Sequence, residues 1–222
     1  VTRVIEIFGV YRSRALRNIW LLEEMGLPYR VVPVIQAFRL PDPTRAEAPL
    51  HTRSPEFLAM NPAGSIPVMR DGDVVLSESL AINLYLARRY GPPVGTNDLV
   101  ESAKFAQWTL FAATEIEPRS IQILFNRVQL PAAQRDEAKV TEAVAALRRP
   151  FAVLDAALAV TGHPVGGRFT AADVALAECV RYCMPAPEAL EGFPRVKAWI
   201  EACHARPAWK KIIAEREKEP AL

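Results

Sequence analysis

Three short clusters in the first part of the chain combine hydroxyls, a carboxylate and turn-prone backbone in ways that suit a small charged peptide. Gly9, Val10, Tyr11, Arg12 and Ser13 separate a strand-like run from a helix-like one. Such a turn lies at the carboxyl end of a strand, where open α/β sheets place ligands, and a hydroxyl at a helix N-terminus can donate to an anion. Ser13 also reads as a simple helix cap, and Tyr11 as a surface aromatic. Further on, Ser65, Ile66, Pro67 and Val68 open another strand. Proline there suits a cis bond in a tight turn, with the N–H and C=O of Ile66 free to pair with an extended peptide. An edge-strand proline with no ligand is the other reading. The third cluster, Ser77, Glu78 and Ser79, begins a helix. The amide and hydroxyl of Ser79 suit a carboxylate and Glu78 suits an ammonium, so together they would clamp an amino-acid head group. An acid placed against the helix dipole is the plainer alternative.

These clusters must be positioned by elements that the hydrophobic pattern marks out. Val4–Phe8 alternates in the strand period, and Ala15–Met25 is apolar in the helix period until Gly26 and Pro28 stop it. Tyr29–Val34 is a second strand, and Ser54, Pro55 and Glu56 open a short helix in which Ser54 is the cap. Ile66–Met69 and Val74–Leu76 flank Asp71, Gly72 and Asp73 as a hairpin, and Glu78–Tyr90 is a helix closed by Gly91. This order predicts a mixed sheet with a parallel portion and helices on its faces. The long Pro- and Arg-rich stretch before Ser54 suits the wall or lid of a site.

Beyond a linker containing Pro92, Pro93, Gly95 and Asn97 there is no strand signal. Helices are expected over about 98–126, 131–160 with a kink at Pro150, 170–183, 193–205 and from Pro207 onward. Thr170 and Asp173 form a capping box, with Phe169 placed to staple onto Val174. The run Arg206–Glu219 mixes both charge signs and reads as a solvated helix.

Composition bounds the function. The 222 residues are 50% hydrophobic and 23% charged, enough for real cores, and a net charge of +2 gives no general attraction to nucleic acid or anionic lipid. No apolar run is long enough to cross a bilayer, and the start carries Arg3 and Glu6 where a signal peptide needs an apolar core, so a cytoplasmic protein is expected. Cys179, Cys183 and Cys203 read as buried packing thiols, and scattered His51, His163 and His204 make no zinc site, so no metal is expected. With no cysteine before Cys179, dithiol exchange by the first domain is excluded, and there is no glycine-rich phosphate loop. Any thiol chemistry must use the sulfur of a ligand.

The stretches SRALRNIWLLEEMGLPY from Ser13 and SPEFLAMNPAGSIPVMRDGDVVLSESLAINLYLARRY from Ser54 resemble the amino-terminal half of a cytosolic glutathione S-transferase, in the style of a serine-type bacterial and fungal group. The capped helix at Thr170–Asp173 resembles the carboxy-terminal domain of that family. The resemblance implies a thioredoxin-like domain over 1–90, a linker over 91–98 and an all-helical domain over 99–222 that forms an electrophile pocket. It also implies a homodimer that conjugates glutathione, its co-substrate, to small hydrophobic electrophiles in detoxification, with reduction of organic peroxides as a second reaction. On this resemblance Pro67 is the family's proline, Ile66 pairs with the cysteinyl backbone, and Glu78 with Ser79 holds the γ-glutamyl group. Arg53, Thr52, His51 and Ser65 are candidates for the glycyl carboxylate. Ser13 would donate to the sulfur and favour its thiolate, with Tyr11 and Arg12 as the other candidates for that contact. Phe105, Trp108, Phe111 and Glu115 recur at helical spacing as either core or pocket lining. Some members of the family are non-catalytic binding or regulatory proteins, a reading that the Glu78 and Ser79 pair argues against.

Overall fold

The structure, a computed structural model, describes residues 4–220, so Arg3 lies outside it. The chain forms two compact units: one runs up to Val94 and takes in the segment from Pro207, and the other is Gly95–Arg206. The helical unit therefore ends before the last helix, which the sequence reading had placed within it.

In the first unit β1 (Ile5–Phe8) leads through a turn into α1 (Ala15–Met25), which stops at Gly26 with φ 63°. Only a residue without Cβ adopts that left-handed conformation readily, and the Gly26 N–H returns to the carbonyls of Leu22 and Glu23. β2 (Tyr29–Val32) pairs parallel to β1, while β3 (Val68–Asp71) pairs antiparallel to β1 and to β4 (Val74–Ser77), giving the order β2-β1-β3-β4. With α2 (Pro55–Met60) and α3 (Ser79–Tyr90) this is the thioredoxin-like arrangement. One core cluster joins Phe8, Val34, Phe57 and Val68, so the chain ends that carry the candidate residues stand on packed side chains. Two local readings change. β3 begins at Val68, leaving Ile66 and Pro67 ahead of the ladder, and the Ser54 hydroxyl accepts the His51 N–H at 3.0 Å instead of capping α2.

α9 (Pro207–Lys218) is not solvated all round, contrary to the expectation from its mixed charges. Trp209 and Ile212 are buried, the Trp209 ring lies 4.7 Å from that of Trp20 on α1, and Lys211 pairs with Glu23 at 2.7 Å. Two apolar residues three apart make a stripe wide enough to dock one side of a helix whose remaining positions are charged.

The second unit is all helical. α4 (Leu99–Phe111) and α5 (Glu117–Leu124) form a continuous helical run with wide π-turns at 112–116 and 125–129. The first has a cause in Pro118, which has no N–H to return along the helix. The Arg119 guanidinium donates instead to the carbonyls of Thr114 and Glu115, at 3.1 and 2.5 Å. α6 (Glu137–Thr161) continues through Pro150, and α7 (Ala171–Arg181) is buried over nearly its whole length behind the Thr170 and Asp173 capping box. α8 (Pro194–Ala205) completes the unit. All three cysteines are free and buried, and burial pushes the Cys183 thiol up to about 12, which keeps it inert. Phe105 is core, while Trp108 and Phe111 make an edge-on pair with centroids 5.4 Å apart. Among the described residues no helix is long and apolar enough to cross a membrane, and no cluster of His, Cys, Asp and Glu is placed to hold a metal ion.

Candidate functional site

Sheet register brings the three clusters together. Phe8 pairs with Val32 on one side and Val68 on the other, and Val68 pairs with Ser77. With strands about 4.8 Å apart, the turn after β1, the segment before β3 and the start of α3 all rise from one row at one end of the sheet. Gly9 allows the first two to touch, because a Cβ there would sit 2.8 Å from the Ala15 Cβ and 3.7 Å from that of Ile66. Gly9→Ala is therefore expected to push α1 off the turn and cost about 1–3 kcal/mol, read as a lower denaturant midpoint at unchanged m.

The segment before β3 is shaped by Asn61. Its carbonyl oxygen accepts the Ala63 N–H at 3.2 Å, and its amide donates to the carbonyl of Ser65 at 2.8 Å and to the Ser65 hydroxyl at 3.2 Å. Gly64, with φ 59°, closes this turn where a Cβ would meet the Thr52 carbonyl at 3.0 Å. The Ile66–Pro67 peptide is cis, and among the described residues nothing pairs with the main-chain N–H and C=O of Ile66.

At the start of α3, Glu78 is the one non-glycine residue with positive φ among those described, at 68°, and its side chain is exposed. Such strain persists only where neighbours enforce it, and it is a pointer to function. The enforcing network is buried. Arg17 on α1 donates to the Ser79 hydroxyl at 3.2 Å, Asn18 donates to the Ser79 carbonyl and to Asn83 at 2.7 Å each, and Asn83 returns to the Arg17 carbonyl at 3.3 Å. Asn18 and Asn83 are site-supporting residues that the sequence reading missed. Their signal was polarity in the middle of apolar helix faces, since a fully buried amide must find partners.

In the turn itself, the Ser13 hydroxyl donates to the Val10 carbonyl at 2.7 Å and accepts the Ala15 N–H at 3.1 Å. The Tyr11 phenol shares a cleft with Tyr29, whose own hydroxyl donates to Glu23 at 2.5 Å. Burial raises the Tyr11 pKa, Tyr29 offsets part of the rise, and the charges of Glu215, Glu23 and Glu219 add to it. Both phenols line a cleft of about 660 Å³ with Lys211 and Ile212. The main-chain N–H groups of Tyr11 and Arg12 donate to Glu219, 208 and 207 residues away, at 2.8 and 2.9 Å.

The remaining candidates divide. His51 accepts the Arg53 N–H at Nδ1 (3.1 Å), which leaves Nε2 to donate to the Pro43 carbonyl at 2.9 Å. Thr52 accepts the Ala37 N–H at 3.0 Å, so both side chains are turned inward to hold the long loop. Arg53 projects into solvent. A pattern links three hydroxyls: Ser13, Ser65 and Ser79 each accept from a protein N–H, of Ala15, Asn61 and Arg17 respectively. With a lone pair fixed in this way, the protons of Ser65 and Ser79 are left to be aimed at an anion, while that of Ser13 rests on the Val10 carbonyl.

Residues 12–89 match the family model of the glutathione S-transferase N-terminal domain, and residues 105–207 that of the C-terminal domain. Glutathione S-transferase 3 of Zea mays is 33% identical over 219 residues, spanning 95% of this chain and 93% of that protein. Among solved structures, the theta class glutathione S-transferase of Xanthomonas axonopodis pv. citri with glutathione bound is similar at a TM-score of 0.77 and 30% identity, covering 94% of this chain and 96% of its own. Glutathione transferase F7 of Populus trichocarpa reaches a TM-score of 0.80 at 27% identity, covering 96% and 99%.

Proposed function

Because the chain belongs to the glutathione S-transferase family, we propose that its first unit binds glutathione across the row Phe8, Val68 and Ser77 and that Ser13 ionises the bound thiol. The protein is a glutathione transferase, an enzyme joining the glutathione sulfur to an electrophile. The observation that carries the assignment of residues is the shared row, which sets a hydroxyl, an unpaired peptide and a carboxylate–hydroxyl pair side by side. Glu78 takes the γ-glutamyl ammonium, and the amide and hydroxyl of Ser79 take its carboxylate, with Arg17 fixing the hydroxyl from beneath. Ile66 pairs with the cysteinyl backbone, and Arg53 and Ser65 meet the glycyl carboxylate. His51 and Thr52 shape the loop that presents Arg53.

The chemistry then follows. The Ser13 proton swings from the Val10 carbonyl to the sulfur, while the Ala15 N–H keeps the hydroxyl oxygen in place. A hydrogen bond to the charged form lowers the thiol pKa, and the released proton goes to solvent. The sulfur lone pair forms the new bond to carbon as the leaving group departs with its own pair. The electrophile is small and apolar. Organic peroxides are a second substrate class, giving an alcohol and a glutathione sulfenic acid that a second glutathione converts to disulfide. We place the enzyme in the serine-type group, as a cytoplasmic homodimer; Leu99, Val100 and Leu110 support an interface, being 75, 62 and 62% exposed on α4.

Retention on immobilised glutathione tests the assignment. Glu78→Ala is expected to weaken binding about ten- to a hundredfold, the worth of a charge-assisted hydrogen bond, and Glu78→Gln less. Retention equal to wild type in Glu78→Ala would remove Glu78 from the site. Binding without turnover of an activated aryl halide would favour a non-catalytic binding protein.

A further inference from the structure

We infer that Glu219 is a positioning residue for thiol ionisation, its carboxylate clamping the turn that carries Ser13. Each oxygen of the carboxylate receives one main-chain N–H from that turn, Tyr11 at 2.8 Å and Arg12 at 2.9 Å. The grip is reinforced by Arg12, whose Nε donates to the Glu219 carbonyl at 3.3 Å and whose guanidinium pairs with Glu217 at 3.5 Å. Glu219 is delivered by α9, which is anchored on α1 through Trp209 against Trp20 and Lys211 against Glu23. The clamp and the hydroxyl are thus referred to the same helix.

Two consequences follow for the sulfur. Charge-assisted hydrogen bonds are about twice as strong as neutral ones, so a two-point carboxylate grip holds this turn more firmly than the two local bonds of Ser13 alone. Both of these amides are also occupied, so neither of them is offered to the sulfur. Among the described residues no hydrogen bond joins Glu219 to Ile66, Glu78, Ser79 or Arg53, so on the assignment above glutathione is held independently of the clamp. Loosening it should therefore change the ionisation of bound glutathione and leave its binding nearly intact. This inference rests on the assignment of Ser13 made above.

The test compares wild type, Glu219→Ala, Glu219→Gln and Ser13→Ala in the full chain. Without glutathione, hydrogen exchange at the Tyr11 and Arg12 amides should be about tenfold faster in Glu219→Ala. With glutathione, ultraviolet titration of the bound thiolate should give a pKa raised by about half to one unit, with the glutathione KM changed less than about twofold. Glu219→Gln should fall between, because its side-chain amide has one accepting oxygen instead of two, and it carries the comparison should Glu219→Ala fail to fold. Unchanged exchange would show that no clamp exists, and faster exchange with an unchanged thiol pKa would show a clamp with no role in ionisation. Either result overturns the inference. If Ser13→Ala raises the pKa while Glu219→Ala does not, only the clamp fails; if neither does, the Ser13 assignment fails with it.

Discussion

Glutathione bound to a Ser13→Ala variant is expected to hold its thiol proton to a pH about one to two units higher than when bound to wild type. A free thiol titrates near 8.5, and a hydroxyl that donates to the sulfur favours the anion, so the wild-type site works below that value. Removing the donor restores the neutral thiol. At a pH below both pKa values, the variant's kcat should fall about ten- to a hundredfold, in line with loss of one oriented donor, and the gap should close as pH rises past the variant's own pKa. The glutathione KM should change little, since the γ-glutamyl and glycyl ends are assigned to residues other than Ser13. Because Ser13 also bonds Val10 and Ala15 at 2.7 and 3.1 Å, melting of the variant must be measured alongside. Ser13→Thr, which keeps the hydroxyl, should recover most of the rate. A titration curve that does not move in Ser13→Ala would pass the role to Tyr11 or Arg12, the other two candidates for the sulfur contact.

Asp173→Ala should be the most damaging single change to the fold. The carboxylate has no exposed surface and accepts from the Thr170 N–H at 2.8 Å, the Thr170 hydroxyl at 3.0 Å, the Trp199 ring N–H at 2.8 Å and His163 Nδ1 at 2.8 Å. It therefore caps α7, ties it to α8 through Trp199, and gathers His163 from the preceding loop. Deleting it leaves several buried donors with nothing to accept them, each costing about 1–3 kcal/mol, less what relaxation and water recover. A loss of about 3–5 kcal/mol is expected, a large fraction of the stability of an ordinary domain. Urea unfolding followed by tryptophan fluorescence would measure it. A loss under about 1 kcal/mol would mean that water replaces the carboxylate, contrary to a site this deeply buried.

The half of this box that lies within one stretch of sequence was legible, because Thr170 and Asp173 are three residues apart and a helix start has few solutions. Its reach to His163 and Trp199 was not, since long-range acceptors leave no periodic trace. Nor was the Arg206 guanidinium, which lies 3.8 Å over the ring of Phe169. The same division runs through the first unit. β-alternation, Gly26, the hairpin around Gly72 and the cis proline at Pro67 were readable from local spacing. The resemblance supplied the grouping of Ser13, Ile66 and Glu78, and the sheet register supplied its physical reason. What escaped was whatever one element does for another: Asn18 and Asn83 beneath Ser79, and Glu219 on the turn. In α9 the charge count outweighed Trp209 and Ile212, although two apolar residues at helical spacing suffice to bury one face.

The pairing of α9 with α1 also orders events in time. Trp20 and Trp209 stack within one compact unit, yet the entire helical unit is synthesised between them. During translation, at about 5–20 residues per second, the sheet and α1 leave the ribosome well before their final cover exists. The face of α1 around Trp20 stays bare while the helical unit emerges and folds. The contact that completes the first unit is thus among the longest loops the chain must close, and topologies with such contacts assemble slowly. The turn that carries Ser13 is made early, and α9, made after the helical unit, is what puts it in order.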